Sequence, residues 1–131
     1  MSRLSHEDFI SLVQTRADLS FESANEGTRA VLSTLAERIS GGEAMDIAAE
    51  LPPELGAYLE KQQGAPAESF DEADFYARVS ERMGTDPRRA RRVTEEVISV
   101  MENAISRGEI SDAKSELPSR LKELIKTPQI R

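Results

Sequence analysis

Residues 8–59 of this 131-residue chain reappear, 66 positions further on and without a gap, as residues 74–125. Asp8-Phe9 falls on Asp74-Phe75, and Val13 and Arg16 fall on Val79 and Arg82. Ala24, Thr28, Val31 and Ser33 fall on Ala90, Thr94, Val97 and Ser99. Further on, Glu50-Leu51-Pro52 falls on Glu116-Leu117-Pro118. In all, 17 of the 52 paired positions are identical, and many of the rest exchange one apolar residue for another. Such self-similarity is the mark of one structural unit written twice. A unit of roughly 55 residues buries a marginal core by itself, so the two are expected to share one in a single domain.

Each unit reads as helices. Ser5, followed by Glu7 and Asp8, is an N-cap with acid in the first turn. Phe9, Leu12, Val13 and Ala17 then mark one helical face, and Asp18 the stop. The copy starts at Asp71, carries Phe75, Val79 and Met83, and stops at Gly84. A longer helix follows Ser20 in the first unit and Asp86-Pro87 in the second, where proline suits the first helical position. Its stripe is Ala24, Val31, Leu35, Ile39 against Ala90, Val97, Met101, Ile105. Gly41-Gly42 and Gly108 read as glycines that close these helices. A short third helix is expected over roughly 43–50 and 109–116. It ends at Leu-Pro because the residue before proline is pushed out of the α region. A fourth helix opens at Pro52 and Pro118. Gln62 to Ser69 has no period and reads as an exposed linker between unit 1 (about 5–61) and unit 2 (about 71–127). No segment alternates as a strand. The expected fold is all-α, with two similar four-helix units packed into one compact domain over 1–131.

The order of these signals resembles a known family. It is Phe9-x3-Val13 with Arg16 after it, a long helix ending Leu35-Ala-Glu-Arg-Ile39, then Gly42-Glu43 and Glu50-Leu51-Pro52. That pattern, looser in the second copy, resembles the bacterial and archaeal family catalogued as domain of unknown function 2267. The resemblance implies an all-helical, duplicated domain and carries over no catalytic residue.

Composition removes several functions. There is no cysteine, hence no disulfide and no thiolate chemistry. His6 is the single histidine, with no Cys or Ser nucleophile to serve, and reads as a surface residue. No apolar run approaches the ~18–20 residues of a membrane span. The first residues have no apolar leader, so a cytoplasmic protein is expected. The net charge of −7 disfavours a nucleic-acid partner.

Two sets of residues remain as candidates. Glu50 and Glu116 hold equivalent places, and paired carboxylates on repeated helices can bind a metal or a small ligand. Against that, each stands just before a helix start, where a carboxylate caps free N–H groups, and the Glu-x-x-His spacing of helical di-metal sites is absent. Asp46 and Asp112 repeat in the same way and read as solvated. The second set is Arg88, Arg89, Arg91 and Arg92, at the start of a long helix. Glu95 and Glu96 follow as i, i+4 partners of Arg91 and Arg92, and the matching stretch Glu22 to Glu26 is acidic. Arg88, Arg89 and Arg92 therefore read as a surface for an acidic partner or for self-association, and nucleic acid as the weaker alternative. No cofactor or metal is implied, and a non-enzymatic protein–protein interaction module is the expected function.

Phe9 and Phe75 anchor the shared core in this reading. Truncating either to alanine is expected to cost ~3–5 kcal/mol in urea unfolding, and a loss under ~1 kcal/mol would show the stripe misassigned.

Overall fold

A computed structural model describes residues 5–60 and 66–107, without the side chains of residues 43 and 105–107. The described residues form six α-helices and no strand. These are α1 (His6–Ala17), α2 (Phe21–Arg38), α3 (Gly41–Ala48), α4 (Pro53–Gly56), α5 (Glu72–Met83) and α6 (Pro87–Arg107). A 3-10 turn, Ala57–Leu59, continues α4. The all-α expectation holds. The expected helices beyond residue 108, with Gly108, Asp112 and Glu116, lie outside the described residues, as does the side chain of Ile105.

The caps act as the sequence predicts. Ser5, Ser20, Asp71 and Asp86 each accept a backbone N–H from three residues on, at 2.8–3.1 Å. Asp18 (φ 57) and Gly84 (φ 70) end α1 and α5 in the left-handed region, which Gly enters freely and Asp tolerates. Elements α1 and α5 are both 12 residues long, and their starts stand 66 residues apart, as do those of α2 and α6.

One expectation fails. Gly41 and Gly42 do not close α2. Its C-cap is Ile39, in extended conformation at φ −117, and both glycines belong to the first turn of α3. Among the described glycines only Gly84 has positive φ. Ile39 is wholly buried, so the chain leaves α2 by an extended step that drives this side chain inward. The third helix accordingly starts and stops two residues earlier than expected.

Two helical hairpins, α1–α2 and α5–α6, pack against each other crosswise. Helix α2 touches α5 and α6, and α1 touches α6. Elements α3, α4 and the 3-10 turn lie together under α2. Phe9, Phe75, Val31, Val97 and Ile39 are all fully buried. The two long helices bury matching stripes, Ala24, Thr28, Val31 and Ala90, Thr94, Val97, each at 0% exposure. They cross at Gly27, where a methyl group would stand 2.7 Å from Val93 Cγ1 and 3.3 Å from Met83 Cε. Gly27 and Val93 are the seventh residues of α2 and α6. The backbones can approach there only because position 27 has no side chain.

At an uncrowded helix site Gly→Ala gains up to ~1 kcal/mol. Here the new methyl meets a β-branched, rotationally stiff neighbour, and overpacking costs ~1–3 kcal/mol. Gly27→Ala is therefore expected to lower stability in urea unfolding. Adding Val93→Ala should relieve that clash, which a double-mutant cycle reads as coupling between the two sites.

Candidate functional site

Eight arginines define the polar chemistry between and around the hairpins, and their tasks differ. Arg16, near the end of α1, donates from Nη1 to Ser99 Oγ on α6 at 2.7 Å. Arg82, its 66-residue counterpart in α5, donates from Nη1 to Thr34 Oγ1 on α2, also at 2.7 Å. Thr34 Oγ1 in turn donates to Ala30 O at 2.8 Å, so one hydroxyl is used in both senses. Each short helix thus ties itself to the long helix of the other hairpin.

Glu37 reinforces one of these ties. Its carboxylate receives Arg78 at 2.9 Å and Arg82 at 2.6 Å. Partial burial pushes the Glu37 carboxyl up, but the hydrogen bonds and charges of Arg82 and Arg78 outweigh it and hold the group below its ordinary range. Arg78 also pairs with Glu68 at 3.1 Å and lies 3.8 Å over the Phe70 ring.

Phe70 and Arg38 escaped the reading of the sequence. Phe70 stands one residue before the cap of α5 and is 6% exposed, with its ring centroid 6.3 Å from that of Phe75. This is a hydrophobic staple between the residue before the cap and the fourth helical position, and the spacing Phe70-Asp71-x3-Phe75 signals it. Arg38 is fully buried and lies 5.8 Å from the Phe70 ring. Position 104, its counterpart, is Ala, so the repeat itself gave no sign of a buried cation.

The arginine cluster of α6 divides within one turn. Arg91 pairs with Glu95 at 3.1 Å and lies 5.9 Å from the Tyr76 ring. Arg92 donates from Nη2 to the carbonyl of Arg16 at 2.9 Å and lies 3.7 Å from Glu96. It thereby sets a cation at the carboxyl end of α1, where the helix dipole is negative. Arg88 and Arg89 are exposed and make no ion pair among the described residues. With Ala17, Asp18, Asp86 and Arg92 they line a depression of about 400 Å³ at the end of the bundle.

The bond from Arg92 to Arg16 also fixes how the helix starts are arranged. It puts the start of α6 beside the end of α1, and therefore beside the start of α2. Glu22 and Glu26, the counterparts of Arg88 and Arg92, are both exposed there, beside the half-exposed Phe21 (42%).

Of the repeated carboxylates only Glu50 and Asp46 are described, since Glu116 and Asp112 lie outside the described residues. Glu50 sits in the turn after α3 and is only 5% exposed, and Pro52 holds the cap position of α4 without a side-chain bond. Asp46 is exposed. His6 is half-buried near the start of α1 and borders a depression formed with Leu51, Pro52 and Pro53. Among the described residues no three His, Asp or Glu side chains converge to hold a metal ion. No helix among them is long and apolar enough to cross a membrane.

Over residues 6–124 the chain matches the family described as "Uncharacterized conserved protein (DUF2267)", and it belongs to that family. No curated protein and no solved structure matches it.

The two arginines on Glu37 set a pH dependence. Because the carboxyl titrates lower in the folded chain than in the unfolded one, its contribution is present above the unfolded value near 4.5 and fades as pH falls through the lower folded value. Glu37→Gln is expected to cost stability at pH 7. The gap between variant and wild type should narrow as pH falls below the ordinary carboxyl range, as followed by thermal unfolding across pH.

Proposed function

We propose that this member of the family works by contact and not by catalysis, as a helical interaction module that presents the start of α6 to an acidic protein surface. The observation that carries the reading is the isolation of Arg88 and Arg89. Every other arginine with a described side chain is engaged. Arg16, Arg78, Arg82, Arg91 and Arg92 bond or pair as above, Arg38 is buried, and Arg29 lies 5.8 Å from the Tyr58 ring. Two exposed guanidiniums on the first turn of a rigid helix are a ready contact for carboxylates. They stand at the amino end of the helix, where the dipole disfavours cations, so helix stability does not account for them.

The reading takes 8–59 and 74–125 as copies of one four-helix unit. The 66-residue spacing of α1 to α5 and of α2 to α6 supports it. So do the two arginine ties, whose donors Arg16 and Arg82 are counterparts while their acceptors are offset by one position. Copies that share a core free the second unit to diverge in surface charge, from Glu22 and Glu26 to Arg88 and Arg92. The alternative of a ligand or metal held by paired carboxylates gains little support from Glu50, which is closed off from solvent.

Reversing both free arginines tests the proposal. Arg88→Glu with Arg89→Glu is expected to leave far-UV helicity unchanged and to abolish binding of a fluorescent polyglutamate peptide, read by anisotropy at low salt. Equal binding by wild type and variant would reduce the arginines to a solvated face. Specific capture of duplex DNA by the wild type at physiological salt would favour a nucleic-acid role instead.

A further inference from the structure

We infer that the acidic surface this end receives is its own counterpart on a second copy of the chain. Arg88 and Arg89 of each protomer would meet Glu22 and Glu26 of the other, about a two-fold axis. This rests on the contact reading above and names its partner.

Helices α2 and α6 begin at the same end of the bundle and cross at their seventh residues, Gly27 and Val93. Their first two turns are therefore set on either side of that crossing. On one side stand Glu22 and Glu26, and on the other Arg88 and Arg89, all exposed. When two such ends face each other and one is turned by half a revolution, each acidic side lies over a basic one. Both contacts form at once, as an isologous interface requires.

An external acidic partner would satisfy only the arginines and would be repelled by the glutamates beside them. A second copy satisfies both. Phe21 adds an apolar anchor on the acidic side. It is one of two large apolar side chains exposed among the described residues, and it can be covered by the stems of the facing arginines. Asp18 and Asp86 share the depression with Arg88 and Arg89 and offset part of their charge. The resulting dimer is weak and sensitive to salt.

Charge-swapped variants of the full chain provide the test, with mass read by sedimentation velocity. The wild type is expected to dimerise at roughly 0.01 M salt and to dissociate at roughly 1 M, where the screening length falls from about 30 to about 3 Å. Arg88→Glu/Arg89→Glu and Glu22→Arg/Glu26→Arg should each weaken dimerisation by ~10-fold or more, since like charges then face each other. An equimolar mixture of the two variants should restore a dimer, because one end is then wholly acidic and the other wholly basic. If a reversal unfolds the chain, the neutral pair Arg88→Gln/Arg89→Gln and Glu22→Gln/Glu26→Gln replaces it, each expected to weaken the dimer. A wild type that stays monomeric at low salt, or a mixture that fails to associate, overturns the inference. A monomeric wild type that still binds polyglutamate through Arg88 and Arg89 sinks self-pairing alone. Loss of that binding as well sinks the contact reading with it.

Discussion

The close approach of α2 and α6 at Gly27 is the constraint on which the rest of the molecule depends. With no side chain at position 27, Val93 and Met83 come against the helix backbone itself. That contact lets two long helices bury their matching stripes at full depth. It also brings α1 within reach of α6 and α5 within reach of α2, which the ties Arg16–Ser99 and Arg82–Thr34 exploit. Had position 27 carried even a methyl group, the helices would have to separate by a few tenths of an ångström or more, and close-packed interiors concede such shifts reluctantly.

Around this crossing the polar groups do unequal work. Exposed ion pairs such as Arg91–Glu95 are screened by solvent and chiefly hold side chains in place. The Glu37 cluster joins α2 to α5 with two arginines on one carboxylate, and a third contact runs from the backbone N–H of Glu68 to the carbonyl of Glu37. The segment before α5 is thereby drawn onto α2, and Phe70 is set in the core beneath Arg78. Arg92 is consumed in a similar way by the end of α1. What remains in the first turn of α6 is a pair of exposed arginines, Arg88 and Arg89, with no ion pair among the described residues.

The starts and interior faces of α1, α2, α5 and α6 were legible from residue types alone, because caps are local. Ser5, Ser20, Asp71 and Asp86 satisfy N–H groups three residues away, and no tertiary contact is needed to place them. The end of α2 was not legible. Two adjacent glycines suit a left-handed stop, yet the chain turns at Ile39 because burying that side chain decides the path, and the glycines start the next helix. Arg38 was hidden for a related reason. A cation within an apolar stripe looks like a surface residue until its surroundings are known, and only packing shows it fully enclosed.

By itself the sequence determined that this chain is all-helical, where most described helices begin, and which faces turn inward, since period and capping act over one or two turns. Only the tertiary structure decided which of the four arginines that open α6 are engaged. One residue apart, Arg91 and Arg92 find Glu95 and the end of α1, while Arg88 and Arg89 make no ion pair among the described residues. Spacing alone marks the Arg91–Glu95 pair but not the engagement of Arg92, which depends on where a helix 76 positions away presents its last carbonyls.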